Sequence, residues 1–199
     1  MKVTLEKTFP MPASANTAWA LLQDIEGVAN CMPGAKLTER IDDRHYKGTV
    51  AVKFGPASMS FRGEVEVRGI DAATQTLRLF AKGTDTTGSS AASMDLTARV
   101  EAVDAASCNL LGTSEVSMSG KAATFGGRMM GSVADQVLKQ FAANFATQVQ
   151  ALQARQVVDA PAAAPVLAPK QEPAQLNGLA LMWAVIKDWL RSLFGAKKA

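Results

Sequence analysis

Between Tyr46 and Ser119 apolar and polar residues alternate with the two-residue period of strands, and from Ala122 onward the period becomes helical. A switch of this kind, made once, restricts the chain to a run of strands followed by one long helix. Tyr46, Gly48, Val50, Val52 and Phe54 alternate with His45, Lys47, Thr49, Ala51 and Lys53. Met59, Phe61, Gly63, Val65 and Val67 alternate with Ser58, Ser60, Arg62, Glu64, Glu66 and Arg68, the pattern of a half-buried strand. Gly55-Pro56 between the two is a hairpin signal. Further strands are predicted over roughly 76–82, 92–103 and 108–119. Phe125, Met129, Val133, Val137, Phe141 and Phe145 then recur at helical spacing to about Gln153. That helix has about 30 residues and a length of roughly 45 Å at 1.5 Å per residue.

Ahead of the strands, Val3, Leu5, Phe9 and Met11 mark a first strand, interrupted near its end by Pro10 and Pro12. Ser14 is placed to cap a helix carrying Ala18, Trp19, Leu21 and Leu22. Val28 to Met32 form a second short helical segment before the Pro33-Gly34 break. The order is therefore one strand, two short helices, about six antiparallel strands and a long helix. This predicts an α+β helix-grip domain: a curved antiparallel sheet of about seven strands wrapped around the long helix, an arrangement that commonly leaves an apolar cavity between the two.

The domain is expected to span residues 1–155, with a tether over 156–175 and an amphipathic helix over 176–199. Pro161, Pro165, Pro169 and Pro173 fall every fourth position and block helix formation, so the stretch is read as a semi-rigid, partly extended arm. In the final segment Leu179, Met182, Trp183, Ile186, Trp189, Leu190, Leu193 and Phe194 supply a wide apolar face with aromatic rings. Its uncharged run from Leu176 to Ile186 is well short of the roughly 20 residues that cross a bilayer. Lys187, Arg191, Lys197 and Lys198 against Asp188 give this segment a net charge of +3. These features predict a helix lying on a membrane surface; docking onto the domain or a protein partner is the alternative for the same face.

Up to Arg155 there are 16 Lys and Arg against 15 Asp and Glu, and no basic run interleaved with aromatics, which argues against nucleic-acid binding. Cys31 and Cys108 lack the spacing of a zinc site or a disulfide framework. The N-terminus has no apolar core of a signal peptide, so a cytoplasmic protein attached peripherally to the inner face of the cell membrane is expected. Catalysis is not expected. The single histidine, His45, lies in the polar phase of its strand, and Ser89, Ser90 and Ser93 have no neighbouring base. Glu64 and Glu66 share a face with Arg62 and Arg68, a pattern of cross-strand charge pairing. Gly126-Gly127-Arg128 lacks the rest of a phosphate-binding loop.

Four stretches carry a family resemblance: Ala18–Ala35 (AWALLQDIEGVANCMPGA), Gly48–Val67 (GTVAVKFGPASMSFRGEVEV), Lys82–Gly88 (KGTDTTG) and Ser119–Phe141 (SGKAATFGGRMMGSVADQVLKQF). Over about residues 2–150 the chain resembles the carbon monoxide dehydrogenase G-subunit family of the START-like (SRPBCC) polyketide cyclase/lipid transport superfamily. The resemblance implies a non-catalytic accessory protein for molybdenum hydroxylases of the carbon monoxide dehydrogenase type, acting in their maturation or membrane recruitment. Within the expected fold, Met32, Phe54, Met59, Phe61, Phe80, Phe125, Met129 and Val133 are candidates to line the cavity, with ordinary core as the alternative for each. Gly126, Gly127 and Arg128 are candidates for its mouth, the glycines equally for close packing and Arg128 equally for solvation. No metal or covalent cofactor is expected; a quinone or other isoprenoid lipid is the ligand that a greasy pocket tethered to a membrane would suit. A ligand-free assembly scaffold and a small START-like cyclase or hydratase are the alternatives, the latter with Tyr46, Thr113 and Glu115 as its few polar candidates.

Overall fold

The computed structural model describes residues 1–54 and 57–159, with the side chains of 54, 57 and 157–159 left aside. Gly55-Pro56, the tether beyond 159 and all eight membrane-facing candidates (Leu179, Met182, Trp183, Ile186, Trp189, Leu190, Leu193 and Phe194) lie outside the described residues. Strand β1 (Lys2–Met11) shows strict alternation of exposed and half-buried residues along its length. It is followed by helices α1 (Ala15–Gln23) and α2 (Ile25–Cys31). Ser14 caps the first, its hydroxyl accepting the Thr17 N–H at 3.2 Å, and Asp24 caps the second through Gly27 N–H at 3.0 Å. Strands β2 (Ala35–Arg40), β3 (His45–Phe54), β4 (Ala57–Asp71), β5 (Thr76–Asp85), β6 (Ser90–Ala102) and β7 (Cys108–Gly120) then form an antiparallel meander. A 3-10 turn (Lys121–Phe125) leads into α3 (Gly126–Asp159).

The seven strands order as β1-β7-β6-β5-β4-β3-β2, so β1 and β2 are the edges. Pro10 sits in β1 opposite Asn109, on an edge strand, where a residue without a backbone donor is tolerated. The helix-grip architecture expected from the element order is the one observed. One strand and one helix differ from the sequence reading. Strand β2 is not located by alternation, because AKLTER carries only Leu37 as a large apolar residue and its pairing slips between Leu37 and Glu39. The long helix starts later, at Gly126, and runs to Asp159, past the point where its apolar stripe ends.

Packing is dense at one end of the sheet. From its middle onward α3 places Phe141, Phe145 and Val149 in the core with Trp19, Leu21 and Leu22 of α1 and with Leu77, Val100 and Cys108 of the sheet. The rings of Phe141 and Phe145 stand 5.7 Å apart at a tilt of 42°. Polar ties hold the same end: Gln153 accepts the Ser14 N–H at 2.8 Å, Gln156 accepts the Thr17 hydroxyl at 3.0 Å, and Asn144 donates to the Cys31 carbonyl at 2.9 Å. The opposite end of the same concave face is not filled.

Candidate functional site: an apolar cavity under the long helix

Between the N-terminal half of α3 and the sheet lies a cavity of about 480 Å³. From α3 it is lined by Met130, Val133, Ala134, Val137, Leu138 and Phe141. The sheet contributes the inward phase of every strand, such as Leu5 of β1, Leu37 of β2, Val50 of β3, Val65 of β4, Leu79 of β5, Leu96 of β6 and Val116 of β7; Met32 follows α2. Its volume is within the range typical of small-molecule sites.

The emptiness has a sequence cause. Gly48 pairs with Gly63 and Gly63 with Gly83, so three neighbouring strands carry glycine in one cross-strand row. All three line the cavity, as does Gly112 of β7. A Cβ on Gly63 would meet the Lys82 carbonyl oxygen at 2.0 Å, and one on Gly83 the Arg62 carbonyl oxygen at 2.9 Å. The strands therefore approach at this row more closely than any side chain permits, and the concave face loses the side chains that would fill it.

Three of the eight cavity candidates line it: Met32, Phe61 and Val133. Met59 is half-buried in β4 but lies beyond the lining, and Phe54 has only its backbone described. Phe80 is on the outer face. Its ring lies 4.0 Å beneath the Arg68 guanidinium, because the phase of β5 sets Leu77, Leu79 and Ala81 inward and Arg78, Phe80 and Lys82 outward. Phe125 sits in the 3-10 turn before the helix, so the helical stripe does not include it. Met129 is 40% exposed, and its neighbour Met130 takes the inward position. Gly126, Gly127 and Arg128 are not among the lining residues, and Gly127 and Arg128 are exposed.

Polar groups at the cavity are few. Lys36, Thr49, Lys82 and Ser93 border it but belong to the outward phase of their strands. Lys7, in the inward phase of β1, reaches across to Asp135 of α3 at 2.9 Å and holds that carboxyl below its ordinary value. Ser114 is the one hydroxyl of the inward phase of β7, 8% exposed. Sequence reasoning passes over these three residues and the glycine row. The signals are a lysine in the apolar phase of β1, a serine in that of β7, and glycines spaced to meet across paired strands.

The other polar residues serve the surface and the turns. His45, the first residue of β3, bonds Asp42 of the preceding exposed turn through Nδ1 at 2.9 Å. Tyr46 is buried with its hydroxyl donating to the Asp43 carbonyl at 3.4 Å, while Thr113 and Glu115 are exposed, Glu115 pairing with Lys2 at 2.7 Å. On the outer face Arg68 bridges Glu66 and Asp95, at 3.6 and 2.9 Å, and Lys82 pairs with Glu64 at 3.4 Å. Thr87 and Ser89 donate to Asp85, which also accepts the Ser90 N–H at 2.7 Å; Ser90 in turn accepts the Ala122 N–H at 3.0 Å. This cluster joins the β5–β6 turn to the start of the helical segment. Burial, reinforced by the charge of Asp24, pushes the Cys31 thiol up to about 11, and burial also raises Cys108, so both thiols are protonated and unreactive at neutral pH. Among the described residues no three His, Cys, Asp or Glu side chains converge as a metal site requires, and no helix is long and apolar enough to cross a membrane.

A curved seven-stranded antiparallel sheet gripping a long C-terminal helix over an apolar cavity is the START-like, helix-grip fold. A START superfamily protein from Mycobacterium smegmatis shares the fold at a TM-score of 0.52 and 17% identity, over 75% of this chain and 98% of that one. A conserved protein from Geobacillus kaustophilus is similar at a TM-score of 0.68 and 19% identity, covering 75% of this chain and 96% of its own. The Zhui aromatase/cyclase from a Streptomyces species aligns at 0.55 and 17%, over 83% of this chain and 100% of that one. No curated protein matches the sequence. Residues 8–150 match the G subunits of carbon monoxide dehydrogenase (CoxG), and the chain belongs to that family.

Proposed function

We propose that this is a non-catalytic accessory protein that brings a molybdenum hydroxylase of the carbon monoxide dehydrogenase type to the inner face of the cell membrane and holds a lipophilic carrier, a quinone or related isoprenoid lipid, in its cavity. The observation that carries the ligand half is the cavity itself: about 480 Å³, lined almost wholly by apolar side chains. The family name supports the choice of partner. Where such a hydroxylase delivers its electrons to a carrier dissolved in the bilayer, a pocket on a tethered domain can present that carrier to the enzyme. The sequence of residues 176–199 supports a surface-bound membrane helix, and the tether would raise the local concentration of the domain, so weak contacts with the enzyme suffice.

Native mass spectrometry of the full-length protein, extracted gently from its own membranes, tests the reading. A stoichiometric bound mass matching a quinone is expected. A clean ligand-free mass would leave a ligand-free assembly scaffold. A cyclase-like enzyme, favoured by the fold shared with the Zhui aromatase/cyclase, would show itself by turnover of an apolar polyketide-like substrate.

A further inference from the structure

One polar side chain in the inward phase of the sheet faces the apolar cavity without a protein partner. Ser114 is 8% exposed, follows Leu110 and Gly112 in the inward phase of β7, and lines the cavity. Its hydroxyl makes no side-chain hydrogen bond, although no buried side-chain polar atom among the described residues is left both solvent-inaccessible and unpaired. The hydroxyl therefore opens onto cavity space. With no protein partner, the hydroxyl is free to donate to, or accept from, a ligand oxygen.

The register places a second polar position beside it. Leu5 lies opposite Ser114 and Lys7 opposite Gly112. Lys7 and Ser114 are thus diagonal neighbours on the concave face, roughly 7–8 Å apart by strand geometry. Gly112 puts no side chain between them: a Cβ there would meet only the Leu96 side chain, at 4.0 Å. The Lys7 charge is already balanced by Asp135 at 2.9 Å. The Lys7–Asp135 pair, its side chains 39% and 52% exposed, thus forms a rim of no net charge at the β1–β7 side of the cavity, diagonal to Ser114.

We infer that Ser114 is the hydrogen-bonding anchor for the head of the cavity's ligand, a neutral amphiphile whose carbonyl or hydroxyl oxygen lies between Ser114 and the Lys7–Asp135 pair. The apolar remainder runs under α3 toward Val50 and Leu37. A carboxylate or phosphate head gains no net electrostatic attraction here, because the Lys7 charge is already matched by Asp135. The inference rests on the proposed role of the cavity as a lipophile site.

The test measures binding of a decyl-substituted benzoquinone, decylbenzene and decanoate to the full-length protein, by displacement of an environment-sensitive apolar dye. In the wild type the quinone is expected to bind most tightly. Ser114→Ala should weaken it about five- to tenfold, the worth of one hydrogen bond, and leave decylbenzene within twofold. Ser114→Thr, which keeps the hydroxyl, should restore quinone binding, and the ligand-free melting temperature of Ser114→Ala should not fall. If quinone and decylbenzene both bind and Ser114→Ala weakens neither, the anchor is wrong while the lipophile site stands. Decanoate binding more tightly than the quinone would overturn the neutral head. Failure of all three probes to bind the wild type would overturn the anchor together with the cavity's proposed role.

Discussion

At Gly63 the backbone of β4 comes so close to β5 that a single added carbon would meet the Lys82 carbonyl oxygen at 2.0 Å. Backbone cannot swing aside as a side chain can, so Gly63→Ala must push apart a pair of hydrogen-bonded strands in the middle of the sheet. A loss of about 3 kcal/mol or more is expected in urea unfolding. Gly112 also faces the cavity, but a Cβ there meets nothing closer than the Leu96 side chain at 4.0 Å. Gly112→Val should therefore fold with wild-type stability within about 1 kcal/mol while occupying space a ligand needs, so that apolar dye binding falls. Equal losses of stability in the two variants would contradict the distinction between close approach and open space. Residues are also where the sequence is hardest to read. The chemistry of Phe80 suggests an inward place although its strand phase groups it with Arg78 and Lys82, and beneath Arg68 an aromatic ring is stabilised on an outer face. Met129 and Met130 both lie near the helical stripe, and only packing against the sheet decides which turns in.

Helix α3 is two elements in one. Its C-terminal half is fixed by Phe145 and Val149 in the core, while its N-terminal half spans the cavity and carries Gly126, Gly127 and Gly131. Gly131 is inside the helix, and a Cβ on it would meet nothing within 4 Å. Gly131→Ala should therefore stabilise the protein by about 0.5–1 kcal/mol through helix propensity alone. If ligand passes beneath this half of the helix, the same variant should release a bound apolar dye more slowly in stopped-flow displacement. An unchanged release rate together with the stability gain would separate the helix from entry. The start of the helical segment is tied to the β5–β6 turn through Asp85, whose carboxyl is held below its ordinary 3.8, first by the Thr87 hydroxyl and also by Ser90 N–H and the Ser89 hydroxyl. A depressed value means the contribution is complete above about pH 4 and is lost as pH falls through the folded-state value. Asp85→Asn should thus melt several degrees below the wild type at pH 7, with the gap closing in strong acid. At the scale of elements, strands with large alternating side chains and a helix with a regular stripe are legible. Strand β2 is not, since one leucine in six residues carries no period and only pairing with β3 makes it a strand.

For the molecule as a whole, element order is sufficient to foresee the architecture, because one long helix following a meander has a single concave face to cover. That a cavity would form can be expected of the fold; which residues line it depends on cross-strand register, and the row Gly48, Gly63 and Gly83 exists only once β3, β4 and β5 are paired. The proposed function further requires that the ligand-holding domain and the terminal segment be separable in action. Residues 176–199 carry a net charge of +3 and an apolar run too short to span a bilayer, so their attachment should depend on apolar insertion and on anionic lipid together. The full chain is expected to sediment with vesicles containing anionic phospholipid, and markedly less at 1 M salt, where the screening length drops to about 3 Å. Deleting residues 176–199 should abolish sedimentation and leave dye binding in the cavity unchanged. Retained sedimentation would move membrane contact to residues 1–175, and a parallel loss of dye binding would mean that the terminal segment contributes to the ligand site instead of delivering it to the bilayer.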